Sequence, residues 1–224
     1  MNAIKTCAAS AVLIVFGMTI VAAEPAASNT SQPPPFADGP AVGLLTVGPV
    51  SEEITAGVES WIWTYLAPIR RLSCSNETPT NRFSADSVAA WAERTVGANH
   101  PALLVLVGDT PGRRMDRPSY VTNSVAVVYP VALKTRGTGP ADGAPKQWLP
   151  RVQREALRAT AVALGVPPCP FPVCALSDCD SDSDLDRRSA NPCPPCQGRV
   201  DAILRKRGAS LEWRASVSPF KAGE

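Results

Sequence analysis

Short apolar runs alternate with segments of helical spacing through the first two thirds of the chain. Four mainly apolar runs predict β-strands at 42–47, 69–74, 102–107 and 121–128. Three segments place apolar residues three and four positions apart, which predicts helices at 52–66, 84–95 and 147–164. This alternation predicts an α/β domain, with a cysteine-rich tail that follows the last of these helices.

The ends of the predicted helices carry the expected capping residues. Ser51 and Ser84 precede the first two helices, where a hydroxyl oxygen can accept a bond from a free backbone N–H. Pro68 ends the first helix, and Gly165 ends the third just before Pro167. A further helix is expected after the last cysteines of the tail.

The N-terminus has the layout of a secretory leader. Lys5 precedes an apolar stretch at 8–21, and small residues follow at 21–23. We therefore expect a signal peptide at 1–23, cleaved before Glu24, with an uncleaved anchor as the alternative. A Pro/Ala/Ser-rich linker is expected at 24–40 and a folded domain at 41–218, in a secreted or periplasmic protein.

Composition narrows the classes of partner. The formal net charge is only +2, so no long-range attraction to nucleic acid is implied. No segment after the leader is apolar enough to span a membrane. We expect an unidentified protein or peptide partner, with neither nucleic acid nor, after removal of the leader, a membrane.

Four cysteines in the tail form two close pairs, Cys169-x4-Cys174 and Cys193-x2-Cys196. Paired thiols at such spacings supply two ligands each to a tetrahedral Zn²⁺ ion. The spacing predicts one structural zinc ion held by all four cysteines.

Disulfides are the rival interpretation of the same cysteines. Exported proteins meet an oxidising compartment, and leader removal leaves an even set of six that includes Cys74 and Cys179. If zinc binds the four, Cys74 and Cys179 lie outside the site and are free to pair with each other. Cys193-Pro-Pro-Cys196 also has the spacing of a redox dithiol, but no thioredoxin-like βαβ pattern surrounds it.

The sequence around these cysteines resembles the archaemetzincins, a metzincin-type family of zinc peptidases. Their pattern is Arg-Val-x-Lys-Glu-Ala, His-Glu-x-x-His-x-x-Gly-x-x-His-Cys, x4-Cys-x-Met and, later, Cys-x-x-Cys. The lead-in matches 151–156, the glycine matches Gly165, and the four cysteines match those of the tail. The resemblance covers most of the mature chain and implies a metzincin-like domain: a mixed sheet packed on helices, with a C-terminal tetracysteine zinc loop.

In this alignment each catalytic position of the family is altered. The three ligand histidines fall on Arg158, Val162 and Pro168, the general-base glutamate on Ala159, and the methionine on Leu176. Arginine is a permanent cation, and valine, proline and alanine carry no donor for a zinc ion. The alignment therefore leaves no catalytic residues.

Three remaining features have simpler interpretations. The single histidine, His100, precedes a strand and is expected to be a surface or capping residue. Glu155 and Arg158 are expected to be ordinary helix charges that form at most a weak i,i+3 pair. The acidic run 178–186 lacks the glycine and glutamate of a calcium loop and is expected to be a solvated loop.

Three functions remain open on sequence alone. The first is an exported, catalytically inactive archaemetzincin-like protein that keeps a structural zinc site and acts in binding or as a scaffold. The second is an active zinc-dependent metallopeptidase, as the resemblance implies. The third is a disulfide-stapled exported protein without metal.

Overall fold

The computed structural model describes residues 40–73, 84–97, 99–109, 117–134, 145–179 and 181–212, without the side chains of 145–147 and 182. All of them belong to one compact unit, Ala37–Glu224. The predicted signal peptide 1–23, all but the last residue of the linker 24–40, Cys74 and the last residues of the predicted domain lie outside the described ranges.

The strands form one five-stranded mixed sheet, as the resemblance predicted. Their bounds are β1 Val42–Val47, β2 Ile69–Arg71, β3 Leu103–Val107, β4 Ser119–Thr122 and β5 Val125–Val128. The order across the sheet is β2-β1-β3-β5-β4, and only β4 runs antiparallel to its neighbour. The antiparallel edge strand β4 contributes one polar side chain, Ser119, to the site described below.

Alternate side chains of the strands enter two hydrophobic cores, one on each face of the sheet. In β1, Leu44 belongs to one core and Leu45 to the other, as the two-residue period of a strand requires. The first core also contains side chains of two long helices and of the cysteine-rich tail. The second core is closed by a single helix.

Five α-helices carry the rest of the described fold. They are α1 Glu52–Tyr65, α2 Ala85–Val96, α3 Pro145–Ala163, α4 Asp182–Arg187 and α5 Pro194–Lys206, with a short 3-10 turn at Pro130–Leu133. Ser51 and Ser84 cap α1 and α2 as predicted, and Gly165 follows α3 with a φ of 96°. None of the described helices is both long enough and apolar enough to cross a membrane.

Two predicted elements need correction. The strand predicted at 121–128 is a hairpin of β4 and β5, which turns at Asn123 with a φ of 45°. Asparagine tolerates the left-handed conformation that such a turn requires. The acidic run 178–186 contains α4 rather than a continuous loop, because Ser181 caps that short helix by accepting a bond from the backbone N–H of Asp184.

Candidate metal centre and the polar network on α3

The four predicted cysteines converge on one point. Cys169 and Cys174 lie on the loop that follows α3, Cys193 is the N-cap of α5, and Cys196 lies in its first turn. Their four Sγ atoms all lie within 4.8 Å of one another. In the described part of the chain, this is the one group of three or more His, Cys, Asp or Glu side chains positioned to hold a metal ion.

Backbone hydrogen bonds hold the cysteines in place. The backbone N–H groups of Leu176 and Cys193 donate to Cys174 Sγ at 3.4 and 3.3 Å. The N–H of Cys169 donates to the carbonyl of Leu176 at 2.9 Å, which closes the first loop on itself. Such bonds orient ligands and stabilise the negative charge of a thiolate.

The spacing of the sulfur atoms fits a tetrahedral ion. A Zn–S bond of about 2.3 Å places tetrahedral sulfur ligands roughly 3.8 Å apart. Cys169 Sγ and Cys193 Sγ are 3.7 Å apart, far beyond the ~2.05 Å of a disulfide bond. All five described cysteines, including Cys179, carry free thiols. Four sulfur donors suit zinc or an iron–sulfur cluster, and their short loop spacings favour zinc.

The site also favours ionisation of one thiol. The backbone N–H of Cys196 is the main cause that lowers the pKa of Cys193 to about 7. Cys193 also stands at the N-terminal end of α5, where the helix dipole stabilises negative charge. Burial raises the pKa of Cys174 and Cys196, so those thiols need a cation before they ionise.

Arg158 lies on α3 where the alignment placed the first catalytic histidine. Its Nη2 donates to Glu155 Oε1 at 2.6 Å and to Ser119 Oγ at 2.9 Å. Its Nη1 donates to Asp178 Oδ1 at 3.0 Å. The guanidinium therefore joins α3, the edge strand β4 and the loop after the second cysteine.

Glu155 is not the ordinary surface charge that the sequence suggested. The i,i+3 pair with Arg158 exists, but Glu155 is only 1% exposed. Ser119 Oγ–H donates to its Oε1 at 2.5 Å, and Arg188 Nη1 donates to its Oε2 at 3.2 Å. Burial by itself would raise the pKa of Glu155, but the bonds from Arg158 and Ser119 and the charge of Arg188 hold it below its usual value.

The side chains at the other aligned positions either pack in the core or face solvent. Ala159 and Leu176 are buried in the first core, and Val162 is half-buried. Pro168 is exposed. His100 lies outside the group of four cysteines. Its Nδ1 is within hydrogen-bond distance of the carbonyl oxygen of Ala41, at 2.8 Å, beside the start of β1.

Sequence reasoning missed the part that Ser119 and Arg188 play in this network. Both are buried, and both contact Glu155 from other elements of the fold. The available signal was the Arg187-Arg188 pair in the tail, although the sequence does not indicate which arginine points inward.

Two solved structures are similar to this fold. Archaemetzincin from Methanopyrus kandleri has a TM-score of 0.56 and 19% identity, and the match covers 75% of this chain and 96% of that one. A zinc-dependent peptidase from Methanocorpusculum labreanum has a TM-score of 0.51 and 18% identity, over 71% of this chain and all of that one (100%). No protein-family model and no curated protein sequence matches the chain. The likeness confirms the predicted archaemetzincin-like fold.

Proposed function

We propose that this chain is an exported zinc-binding protein of archaemetzincin-like fold that is catalytically inactive and acts as a binding or scaffold protein for a protein or peptide. The observation that carries the proposal is the position of Arg158. Its guanidinium stands where the alignment expects a zinc-binding imidazole, and it is bound to Glu155, Ser119 and Asp178.

This arrangement opposes a catalytic metal ion in two ways. Arginine keeps its proton and its positive charge, so it offers no lone pair and repels a divalent cation. Glu155, the carboxylate nearest to it on α3, is already committed to two guanidiniums and a hydroxyl. Ala159 and Val162 supply neither a base nor a ligand.

We assign the zinc ion to the four cysteines instead. A closed tetrathiolate site has no open position for substrate or water, so its contribution is to folding rather than to chemistry. Bound there, the ion would connect the loop after α3 to the first turn of α5.

An active zinc peptidase is the second candidate, favoured by the solved neighbour that is described as a zinc-dependent peptidase. A disulfide-stapled protein is the third, and the convergence of four sulfurs on one point argues against it. These candidates differ in metal content, thiol content and activity.

Metal analysis of the exported protein, combined with thiol titration, separates the three. We expect one zinc per chain, four thiols that become titratable only after chelation or denaturation, and no hydrolysis of a peptide library. Two zinc ions with chelator-sensitive hydrolysis would establish the peptidase. Oxidised cysteines without metal would establish the stapled protein.

A further inference from the structure

Arg188 has an open hydrogen-bonding edge inside the protein. Its side chain is 0% exposed, and its Nη1 donates to Glu155 Oε2 at 3.2 Å. Its Nε and Nη2 atoms are buried and have no hydrogen-bond partner among the residues that the structure describes. Buried charged donors without partners are costly, and such a group calls for an explanation.

The open edge is the one that binds carboxylates. Nε–H and Nη2–H point the same way and match the two oxygens of a carboxylate. Arg151 uses the same edge in this structure: its Nε donates to Asp186 Oδ1 at 2.6 Å and its Nη2 donates to Asp186 Oδ2. Arg188 therefore has the same pair of donors as Arg151, but no carboxylate of the described residues is bound to them.

A second arginine with an open donor lies nearby. Arg154 is half-buried, and its Nε is buried without a partner in the described ranges of the chain. Burial, and then the charges of Arg151 and Arg188, lower the pKa of Arg154 against an opposing effect of Asp186. Arg154 and Arg188 are therefore within electrostatic reach of each other.

The charges around this edge sum to a net positive charge, which favours the binding of an anion. Within the described residues, this network contains four guanidiniums and three carboxylates, with an excess of one positive charge. The guanidiniums belong to Arg151, Arg154, Arg158 and Arg188, and the carboxylates to Glu155, Asp178 and Asp186.

We propose that a small free carboxylate, of the size of formate or acetate, binds to the Nε/Nη2 edge of Arg188, with the positive charge of Arg154 adding to the attraction. The two-oxygen edge of the ligand satisfies the donor pair, and one negative charge balances the network. Burial favours a ligand of this size over a peptide chain. The site uses none of the four cysteines assigned to zinc and does not depend on the function proposed above.

Thermal unfolding of the full zinc-loaded chain tests the site with formate as the probe. Chloride at the same ionic strength is the control, because a single spherical ion cannot accept two parallel hydrogen bonds as the two oxygens of a carboxylate do. We expect a saturable rise in Tm with formate, about 5–10 °C at a hundred times its Kd. Equal stabilisation by chloride would overturn the proposal.

Substitutions locate the effect. Arg188→Lys keeps a charge for Glu155 but removes the two-donor edge, so the formate-dependent rise should disappear. Arg154→Gln, at a half-buried position that does not challenge folding, should raise the half-saturating formate concentration at least threefold. Arg187→Gln changes the exposed neighbour and should leave the response unchanged.

Two outcomes would overturn the assignment. One is a response to formate in Arg154→Gln equal to that of the unchanged protein. The other is that a carboxylate of the chain itself occupies the edge. In that case the unchanged protein would not respond to formate, and the double substitution Asp180→Asn and Asp182→Asn would create the response.

Discussion

Glu155 shows how one buried charge can join several elements of the fold. A carboxylate that is 1% exposed is tolerated only when its oxygens are fully bonded, and here two guanidiniums and one hydroxyl do this. The two cations come from α3 and from the segment after α4, and the hydroxyl comes from β4. One side chain therefore ties three parts of the fold together.

Replacing this carboxylate should destabilise the protein strongly. Glu155→Gln removes the negative charge but keeps the shape, so Arg188 becomes a buried cation without a counter-charge. We expect a loss of about 3–5 kcal/mol in the free energy of unfolding, measured by urea denaturation. Glu52→Gln is the matched control, because Glu52 pairs with Arg71 at 2.7 Å but is 74% exposed, and it should cost less than about 1 kcal/mol. A similar loss in both variants would contradict the buried-network account.

The environment of Glu155 was beyond sequence reasoning for a physical reason. Helical periodicity indicates which residues share a face, but not which face the tail of the chain will cover. Both Ser119 and Arg188 are more than 30 residues away in sequence, at separations of 36 and 33. The convergence of the cysteines was predictable because metal spacing is a local signal, and folding brings the two local pairs together.

At the scale of elements, the cysteine loops and α5 behave as one structural unit. The N–H of Ser189 donates to the carbonyl of Val173 at 2.7 Å, and the N–H of Ala175 donates to the carbonyl of Asn191 at 3.4 Å. At the C-terminal end of α5, Arg207 Nη2 donates to the carbonyl of Leu164 at 3.2 Å. Val200 and Leu204 anchor α5 in the first core, and the ligands at its N-terminus supplement that packing and these few bonds.

Loss of one ligand should therefore loosen α5. Serine is a good N-cap, so Cys193→Ser preserves the helix start while it removes a thiolate. We expect loss of the bound zinc and at least tenfold faster hydrogen exchange of α5 amides, a change of about 1.4 kcal/mol in local stability.

Cys179→Ser is the control for this experiment. Cys179 is half-buried and lies outside the group of four sulfurs, so zinc content and α5 exchange should stay unchanged. Unaltered α5 exchange after chelation of the original protein would contradict the link between the metal and the helix.

Element prediction succeeded where the local signals were strong and failed at one turn. Strand β1 was predicted with its observed bounds, because an apolar run there ends at Gly48-Pro49. The hairpin of β4 and β5 was read as one strand because Val121 and 125–128 form an almost continuous apolar pattern. The polar triplet Thr122-Asn123-Ser124 was the overlooked turn signal.

At the scale of the whole molecule, an archaemetzincin-like fold carries Arg158, Ala159 and Val162 on the long helix α3. The strands and the convergence of the cysteines follow from apolar patterning and spacing, which few substitutions can disturb without unfolding the chain. Catalytic side chains contribute less to folding and can be replaced by any group that fills the space or balances the charge. Under the proposed function, this chain would keep the fold without the chemistry.

Export would give this fold an oxidising environment, and the leader can be tested directly. We expect the exported protein to begin at Glu24, because small residues at 21 and 23 follow the apolar run. Intact-mass measurement of protein collected from the exported fraction checks this. The variant Ala23→Arg is the control and should not be cleaved. A mass of the unchanged protein that still includes residues 1–23 would contradict the prediction.

Restoring a single catalytic residue should not restore peptidase activity. Ala159→Glu supplies a base, but no metal-bound water would be present for it to deprotonate. Arg158→His supplies one ligand of three and leaves Glu155 without one of its two guanidiniums, so we expect lower stability and no additional zinc. Residues that act as a unit contribute little singly, so each variant should remain at the background rate of peptide hydrolysis. Elemental analysis should still give one zinc per chain in both variants, while a characterised zinc peptidase confirms that the assay detects turnover. Chelator-sensitive hydrolysis by either single variant, or by the unchanged protein, would falsify the inactive assignment and place a working metal centre on α3.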